Sequence, residues 1–189
     1  MIYAMLGPSG SGKSVIARGS GLEPLVSHTT RPPRPGEQEG KDYYFISRTK
    51  FFNLKQSSFF IEDVKYEGEY YGLSHKEIRQ KKNFQTYVIM DKEGIKQLKR
   101  YVDDIKVIYI TAPKFQIFKR LIKRDGFIKG IKRFWYALKT KEFSNHDLAD
   151  IHINNSNGNL GKSIGLFRSY IRKFKKIHLL GKGKNNGFI

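Results

Sequence analysis

The stretch that decides the fold is residues 1–14, MIYAMLGPSGSGKS. Its first six residues are an apolar run typical of a buried strand, and the next eight match the pattern G-x-x-x-x-G-K-[ST]. Glycines in such a loop let backbone N–H groups point at phosphate oxygens, the lysine reaches the β- and γ-phosphates, and the final hydroxyl can bind Mg²⁺. A simple glycine-rich turn is disfavoured, because a strand precedes the loop and SVIAR (14–18) can start a helix after it.

Composition places wide bounds on the class of protein. At 189 residues and 39% hydrophobic content, the chain is sufficient for one domain with a proper core. Its formal net charge of +19 predicts attraction to polyanions, whether nucleotides, nucleic acid or acidic lipid. The absence of cysteine excludes disulfides and thiolate metal sites. Because the first strand begins at residue 1 or 2 and no apolar run could span a bilayer, we expect no signal peptide, no membrane partner and a cytoplasmic location.

Strand and helix patterns alternate along most of the chain. Apolar runs typical of buried strands are MIYAML (1–6), YVIMD (87–91), IKVIYIT (105–111) and DIHIN (150–154). Apolar residues at helical spacing between them are Ile95, Leu98 and Val102, and Phe118, Leu121 and Ile122. Ser74 and Glu77 form a capping-box pattern ahead of a further helix. The alternation predicts an α/β fold with a parallel sheet covered on both faces.

Two segments interrupt this alternation. Residues 31–73 are rich in Pro, Gly, charge and then aromatic side chains, which predicts an inserted lobe of short strands and turns. Residues 122–146 are basic and helical in pattern. The last helical pattern, residues 163–177, either packs its apolar face on the core or binds nucleic acid through its basic face. The apolar residues are Ile164, Phe167, Ile171 and Phe174, and the basic ones are Arg168, Arg172, Lys175 and Lys176.

Two further stretches narrow the class of protein. SHTTRPPRPGEQEGKDYYF (27–45) and FIEDVKYEGEYYG (60–72), together with the loop at 7–14, resemble guanylate kinases, and the resemblance extends from Met1 to Asn155. It implies a P-loop kinase fold, a five-stranded parallel sheet with helices on both faces plus an inserted monophosphate-binding lobe and a lid. It also implies transfer of a phosphoryl group from ATP to GMP, and to dGMP, with Mg²⁺ as cofactor.

The resemblance further implies a division of the single domain and a set of site residues. The division is a core of 1–30, 82–120 and 147–180, a lobe of 31–81, a lid of 121–146 and a basic tail of 181–189. The implied ATP ligands are Gly7, Pro8, Ser9, Gly10, Ser11, Gly12, Lys13, Ser14 and Asn154. Those of GMP are Ser27, Arg31, Arg34, Glu37, Tyr43, Glu62, Tyr71 and Asp91. The implied catalytic residues are Lys13, Arg31, Arg120, Arg124 and Arg133, and the metal ligands are Ser14 and Asp91.

These residue types suit the implied chemistry. Phosphoryl transfer needs positioning and cancellation of negative charge, which guanidinium groups and phenol hydroxyls supply at phosphate oxygens. A carboxylate such as Glu62 accepts from both N1–H and the 2-amino group of guanine, whereas adenine has a lone pair at N1. Glu37 either orients the arginines or is a solvated turn residue, and Asp91 either holds Mg²⁺ through water or caps the next helix. His28 has no metal partner at ligand spacing, so we interpret it as structural.

Three departures distinguish the chain from the family pattern. Leu73 stands where Ser or Thr usually follows Tyr-Tyr-Gly, so a guanine-facing hydroxyl is missing unless Ser74 replaces it. Ile89 replaces the first of two acids and leaves Asp91 alone. The segment 13–27 is short, which predicts a shortened first helix. These departures leave open a kinase for another nucleoside or deoxynucleoside monophosphate.

Two other classes of function also remain open from the sequence. One is a non-catalytic guanylate-kinase-like binding module, against which the intact Gly12-Lys13-Ser14 argues. The other is a nucleic-acid-binding protein that acts through its C-terminal helix. For the basic surface we expect only weak, non-specific adsorption of nucleic acid. The sequence leaves the oligomeric state open.

Overall fold

The computed structural model describes residues 1–156 and 159–184, with residues 177–184 described by their backbone alone. The strands are β1 Ile2–Leu6, β2 Glu23–Pro24, β3 His28–Thr29, β4 Tyr44–Phe45, β5 Phe60–Tyr66, β6 Glu69–Ser74, β7 Thr86–Ile89, β8 Ile105–Thr111 and β9 Ile151–Asn154. The α-helices are α1 Lys13–Gly19, α2 Arg48–Gln56, α3 His75–Gln80, α4 Lys92–Leu98, α5 Lys114–Asp125, α6 Phe127–Lys139 and α7 Leu160–Lys184. A 3₁₀ helix spans Glu142–Leu148.

A five-stranded parallel sheet forms the centre of the molecule, in the order β2-β7-β1-β8-β9. All five residues of the central strand β1 are buried, which explains why its sequence is apolar throughout rather than alternating. The predicted five-stranded parallel sheet is confirmed, although only four strands were visible as patterns. The fifth, β2, has two residues and ends in proline, so it carries no periodicity.

Helices cover both faces of the central sheet. On one face, Ile95 and Leu98 of α4 are completely buried in a cluster with Val88. On the other face, α1 and α7 pack together, and Phe167 of α7 meets Tyr3 edge to face at a centroid distance of 5.6 Å. The apolar face of α7 therefore packs on the core, as one of its two interpretations predicted. The short α1, with seven residues, agrees with the shortened first helix expected from the sequence.

The start of α3 follows the predicted cap in part. The Oγ atom of Ser74 accepts a hydrogen bond from the Glu77 amide at 3.1 Å. The Glu77 carboxylate accepts instead from the Val26 amide at 2.9 Å and from Lys81 at 2.6 Å. Ser74 is thus committed to the helix, and Glu77 ties α3 to the central sheet.

The inserted lobe contains a second sheet, in the order β4-β3-β6-β5. This sheet starts at His28, before the predicted lobe boundary at residue 31. The lobe also contains α2, which the expectation of strands and turns did not include, because its nine residues carry only one apolar pair at helical spacing, Phe51 and Leu54. Ser47 caps α2, and Phe51 stacks on Phe60 at 4.7 Å. His28 lies among the same aromatic rings, consistent with a structural role.

Helices α5 and α6 form a hairpin that includes most of the predicted lid, 121–146, and begins before it; this hairpin is called the lid below. Gly126 joins the two helices with φ +82°, a backbone conformation that favours glycine. Where the helices cross, a Cβ atom on Gly130 would lie 2.7 Å from the Cα of Ile122, so glycine is required for this approach. Leu121 is completely buried at the interface, as its spacing predicted, and so is Ile117, which the sequence analysis did not single out.

The C-terminal helix α7 extends through Lys184 and so passes the predicted start of the tail at residue 181. The rest of that tail, 185–189, lies outside the described residues. Within the described ranges, no helix combines the length and apolarity that crossing a lipid bilayer requires.

We expect the substitution Gly130→Ala to force α5 and α6 apart, because the added methyl group would meet backbone atoms. The free energy of unfolding should fall by about 1–3 kcal/mol, the usual cost of overpacking. Gly165→Ala is the matched control, since it lies in α7 with open space around it and should gain about 0.5–1 kcal/mol from helix propensity. Urea unfolding checks both, and a Gly130→Ala variant as stable as the parent would contradict the close crossing.

Candidate active site

A cleft of about 740 Å³ opens where the carboxyl ends of the central strands meet the inserted lobe and the lid. The predicted site residues that line it are Gly7, Ser9, Gly10, Gly12, Lys13, Ser14, Ser27, Arg31, Arg34, Glu37, Tyr43, Glu62, Tyr71, Asp91, Arg120 and Arg124. Those that lie outside its lining are Pro8, Ser11, Asn154 and Arg133. The fold therefore brings together in one cavity residues that are far apart in sequence.

The loop between β1 and α1 depends on its glycines. Gly7 has φ +134° and Gly12 has φ +99°, and both lie against other parts of the fold. A Cβ atom on Gly7 would come 2.0 Å from the carbonyl oxygen of Ile110, and one on Gly12 would come 2.2 Å from the Nδ2 atom of Asn155. Another residue at Gly7 would have to move the backbone of Ile110, and one at Gly12 would have to displace the Asn155 side chain.

The loop presents positive charge and an amide donor to the cleft. Lys13 Nζ donates to the carbonyl oxygens of Gly7 at 2.6 Å and Pro8 at 3.0 Å. Burial lowers the pKa of Lys13 to about 8, and the negative charge of Glu142 opposes this shift. The Ser9 amide donates to Glu142 Oε2 at 3.3 Å, so this donor already binds an anionic oxygen. The loop therefore fits the phosphates of a nucleotide.

Asn155, rather than the predicted Asn154, contacts the loop. Its Nδ2 atom donates to the carbonyl oxygen of Ser11 at 2.9 Å, and its side chain also receives a hydrogen bond from Ser163 at 3.4 Å. Burial alternates along β9 and beyond, so Asn154 is exposed whereas Asn155 is buried. Adjacent positions in extended chain face opposite sides, so the structure places Asn155 rather than Asn154 against the loop, and the assignment of Asn154 to ATP stays a prediction.

Across the cleft, the loop after β3 holds a buried arginine. The guanidinium NH2 of Arg31 donates to both carboxylate oxygens of Glu37 at 2.9 Å, and NH1 donates to the carbonyl oxygen of Pro32 at 2.7 Å. The backbone amide of Arg34 donates to Glu37 Oε2 at 2.8 Å. Of the two roles considered for Glu37, the structure has the one that orients the arginines.

Two tyrosines line the cleft next to these arginines. The rings of Tyr43 and Tyr71 lie edge to face with centroids 5.9 Å apart, and the guanidinium carbon of Arg31 lies 5.5 Å from the Tyr43 centroid. Burial raises the pKa of Tyr43 to about 12, so its hydroxyl keeps its proton at neutral pH. A protonated phenol is a hydrogen-bond donor for a phosphate oxygen.

Glu62 is the most deeply buried carboxyl group that lines the cleft. It is 3% exposed, and its Oε2 atom has no hydrogen-bond partner among the described residues. A Cβ atom on Gly94 would lie 2.9 Å from that oxygen, so glycine at the start of α4 leaves room for it. Burial raises the pKa of Glu62 to about 8, and the negative charges of Asp91 and Asp63 add to the shift. A buried acceptor of this kind favours a ligand that brings its own donors.

Asp91 has the capping role that was one of its two interpretations. It precedes α4, and its Oδ1 atom accepts from the Gly94 amide at 2.8 Å. Burial raises the pKa of Asp91. Within residues 1–156 and 159–184, no cluster of three or more potential metal-ligating side chains exists. Mg²⁺ in nucleotide sites commonly binds one or two protein oxygens in addition to the phosphates. Ser14 and Asp91, which line the cleft, are suited to supply those protein oxygens.

The departures from the family pattern leave one part of the cleft without a hydroxyl. Leu73 is completely buried in the core cluster and is the cross-strand neighbour of Glu62. Ser74 caps α3 and is not part of the cleft lining, so it does not replace the missing group. Ile89 and Met90 line the cleft with apolar side chains.

Two predicted lid arginines reach the phosphate loop. Arg120 donates to the carbonyl oxygens of Asn155 at 2.9 Å and Gly10 at 3.4 Å. Arg124 donates to the Ser9 hydroxyl at 3.2 Å. Both guanidinium groups therefore lie beside the loop that the sequence assigned to the donor phosphates.

The third predicted lid arginine has another position. Arg133 forms an ion pair with Glu67 at 2.8 Å and a longer one with Asp125 at 3.5 Å, and it does not line the cleft. It bridges the lid and the lobe because its side chain projects from α6 towards the turn between β5 and β6. Burial, and then the positive charges of Arg124, Arg133 and Arg31, lower the pKa of Arg34, so positive charge converges on this end of the cleft.

The sequence analysis missed several residues that line the cleft. Arg18 extends from α1 to an ion pair with Asp42 at 2.8 Å, and Tyr66 ends β5. Asp125 and Glu142 also line the cleft. They are the only acids in the basic segment 122–146, and that isolation was a signal that the sequence carried.

A protein that moves a phosphoryl group between two nucleotides needs two phosphate-binding sites that face each other in a space that can exclude water. This cleft provides both, with a phosphate-binding loop on one side and a cluster of arginines and tyrosines on the other, beside a helical lid. Together with the parallel sheet, this arrangement defines a P-loop kinase of the nucleotide-phosphorylating class.

Comparison with known proteins identifies the family within this class. A family model described as guanylate kinase matches residues 2–130. The guanylate kinase of Haemophilus influenzae (strain 86-028NP) is 34% identical over 165 residues, 82% of this chain and 79% of that protein. The guanylate kinase of Buchnera aphidicola subsp. Baizongia pistaciae is 37% identical over 176 residues, 86% and 84% of the two chains. A crystal structure of guanylate kinase from Anaplasma phagocytophilum matches with a TM-score of 0.72 and 25% identity over 92% of this chain and 85% of that one. The chain belongs to the guanylate kinase family.

We expect Asn155→Ala to raise the KM for ATP about tenfold, because the Ser11 carbonyl would be left buried without its donor. Asn154→Ala, one residue away and exposed, is the matched control and should leave KM within twofold of the parent. Steady-state kinetics at saturating acceptor measure both. If Asn154→Ala raised the KM for ATP and Asn155→Ala did not, the result would favour Asn154 as the ATP ligand that the sequence predicted.

A second prediction concerns the pH dependence of stability. The carboxyl group of Glu62 titrates near its ordinary value of about 4.3 in the unfolded chain, but at about 8 in the folded protein. Between these values the folded state holds a proton that the unfolded chain releases, so the parent loses stability as pH rises, by at most about 1.4 kcal/mol per pH unit. Glu62→Gln lacks this titration. Its stability advantage over the parent should therefore grow from pH 5 to pH 8 and then level off.

Chemical denaturation at a series of pH values measures this difference. Glu93→Gln is the control, since that exposed carboxyl group lies on α4 and its variant should differ from the parent by a small and constant amount. A constant difference for Glu62→Gln across the same range would show that Glu62 is ionised in the folded protein at low pH.

Proposed function

We propose that this member of the guanylate kinase family transfers the terminal phosphoryl group of ATP to GMP, and also to dGMP, within the cleft. The observation that carries the proposal is the buried Glu62 carboxyl group, with its unpartnered oxygen, in the same cavity as the phosphate loop. Guanine offers two adjacent donors, N1–H and the 2-amino group, to such an acceptor. These two donors stabilise the ionised form of Glu62, whereas adenine, with a lone pair at N1, would leave that form buried and unpaired.

The donor nucleotide binds at the loop between β1 and α1. The Ser9 amide donates to the Glu142 carboxylate, and the other loop amides donate hydrogen bonds to the phosphate oxygens. Lys13 neutralises charge between the β- and γ-phosphates, and Arg120 and Arg124 supply further positive charge from the lid. Asn155 holds the loop in shape through Ser11.

The acceptor's phosphate binds on the opposite side of the cleft. Arg31 and Arg34 supply guanidinium groups there, and Tyr43 and Tyr71 supply phenol hydroxyls. Glu37 restrains both arginines through three hydrogen bonds, which reduces the entropy lost when the phosphate binds. We assign Ser27, buried at the edge of the cleft, to the base together with Glu62.

The chemical step asks for positioning rather than for an acid or a base. An oxygen of the GMP phosphate attacks the terminal phosphorus of ATP, the bond from that phosphorus to the β–γ bridging oxygen breaks, and ADP leaves. The attacking oxygen is ionised at neutral pH, so no proton has to be removed. The main barrier is the repulsion between two polyanions, and the cationic side chains on both sides of the cleft lower it.

Mg²⁺, when bound, neutralises phosphate charge and orients the terminal phosphoryl group. Ser14 at the start of α1 and Asp91 immediately before α4 are the residues of this chain that would hold it. Asp91 also caps α4, so its carboxylate is oriented before any metal arrives.

Weak adsorption of nucleic acid is a further part of the proposal. The basic residues of α7 with exposed side chains include Arg168, Arg172, Lys175 and Lys176, on the side away from the core. Such a surface binds any phosphate polymer by releasing counterions, without sequence preference and with strong dependence on salt.

The preference of the enzyme among acceptor bases tests the proposal most directly. We expect kcat/KM for GMP and dGMP to exceed that for AMP, CMP, UMP and dTMP by roughly 10⁴-fold, because a base without the matching donors leaves the buried polar group that recognises guanine unpaired. Glu62→Gln should lower kcat/KM for GMP by about 100-fold, because an amide cannot accept both hydrogen bonds. The dissociation constant of ATP, measured by calorimetry, should stay within twofold of the parent.

Glu93→Gln serves again as the control and should retain the kinetics of the parent. A preference for AMP or dTMP, or an unchanged GMP rate in Glu62→Gln, would contradict the guanine assignment. That result would favour the alternative suggested by Leu73 and Ile89, a kinase for another monophosphate.

A further inference from the structure

Glu142 lies where the three parts of the cleft meet. It begins the 3₁₀ helix that follows the lid, and its side chain is buried. One carboxylate oxygen accepts from the Ser9 amide of the phosphate loop at 3.3 Å. The other accepts from the Tyr66 hydroxyl of the inserted lobe at 2.8 Å and from the Thr140 hydroxyl at 3.3 Å. A single carboxylate therefore joins the donor loop to the acceptor lobe.

The backbone of Glu142 is anchored to the core. The Tyr109 hydroxyl, on strand β8 of the central sheet, donates to the Glu142 carbonyl oxygen at 3.0 Å. Tyr109 is itself buried, so this anchor is part of the rigid sheet. The backbone of Glu142 is thus fixed to the sheet, while both oxygens of its carboxylate accept hydrogen bonds from their partners.

Tyr66 extends the connection into the acceptor site. Its ring lies edge to face with that of Tyr71, with centroids 6.3 Å apart, and edge to face with that of Tyr136 on the lid at 5.4 Å. Tyr71 is one of the phenols assigned above to the acceptor phosphate. A continuous path of contacts therefore runs from Ser9 through Glu142 and Tyr66 to Tyr71.

We propose that Glu142 is a positioning residue that aligns the phosphate loop with the acceptor lobe through its paired hydrogen bonds to Ser9 and Tyr66. Phosphoryl transfer needs the donor and acceptor phosphates in line, and small displacements between their sites cost large factors in rate. Hydrogen bonds to a buried charged group are among the stronger ones, so this carboxylate is well suited to hold that alignment. The proposal rests on the donor and acceptor roles proposed above for these two sides of the cleft.

Because Glu142 touches both sides, its variants should have a distinctive kinetic signature. We expect Glu142→Gln to raise the KM for ATP and the KM for GMP about tenfold each. Tyr66→Phe, which removes only the hydroxyl on the lobe side, should raise the KM for GMP and leave that for ATP within twofold. The double variant should be no worse for GMP than Glu142→Gln, since both changes break the same link.

Asp147→Asn is the matched control. Asp147 lies on the same 3₁₀ helix and pairs with Lys92, but it is 60% exposed and does not line the cleft. Its variant removes the same charge and should keep both KM values within twofold of the parent. Calorimetric titration with ATP in the absence of GMP gives a measure of the donor side that does not depend on turnover, and Glu142→Gln should bind ATP about tenfold more weakly.

Three outcomes would overturn the proposal: an unchanged KM for ATP in Glu142→Gln, additive effects in the double variant, or tighter ATP binding, which would make Glu142 a competitor of the phosphates. If Glu142→Gln fails to fold, an unchanged KM for GMP in Tyr66→Phe overturns it as well. If the parent protein prefers another acceptor, only the guanine assignment is contradicted. The Glu142 proposal is then tested with the same variants and that acceptor. A parent that does not bind ATP overturns both proposals.

Discussion

The close approach of the phosphate loop to the neighbouring strand is the constraint on which the rest of the site depends. Gly7 leaves β1 with its α-carbon against the carbonyl oxygen of Ile110, where a side chain would overlap the backbone of β8. The loop then closes over Asn155, which holds the Ser11 carbonyl and leaves no space at Gly12. The amide donors of the loop are therefore oriented by the packing of the sheet before any nucleotide arrives, so binding does not have to order them.

The cleft buries ionisable groups whose charged forms are unfavourable in the empty protein. Burial lowers the pKa of Lys13 to about 8 and raises the pKa of Glu62 to about 8, so both values lie far from the ordinary ones. Each is suited to a partner that a nucleotide brings, phosphate for the lysine and guanine donors for the carboxyl group. Gly94 contributes to this arrangement by leaving space beside the buried carboxyl oxygen. Burying these groups without partners makes the empty protein less stable. Only a ligand that supplies the matching partners removes this cost, so the site favours that ligand over others.

Sequence patterns were informative wherever a motif coincides with a continuous segment of chain. The glycine loop, the apolar strands and the aromatic stretch that carries Tyr71 were all recognised, and six of the eight loop residues 7–14 line the cleft. The structure departs from the expected placement at positions whose neighbours are distant in sequence. Asn154 and Asn155 are indistinguishable as letters, but the alternation of β9 exposes the first and buries the second. Arg133 was one of several basic lid residues, and only its pairing with Glu67 on the lobe removes it from the cleft.

By itself, the sequence determined the class of this protein. A strand, a glycine-rich loop and a helix at 1–19 require a phosphate site, because only that order places lysine and backbone amides together at the end of a sheet. The pattern of apolar runs likewise determined the parallel sheet. Only the tertiary structure decided which polar side chains meet across the cleft, since Ser9, Tyr66 and Glu142 come from three separated segments. Their meeting depends on how lobe and lid pack on the core, a property of long-range contacts that no local pattern encodes.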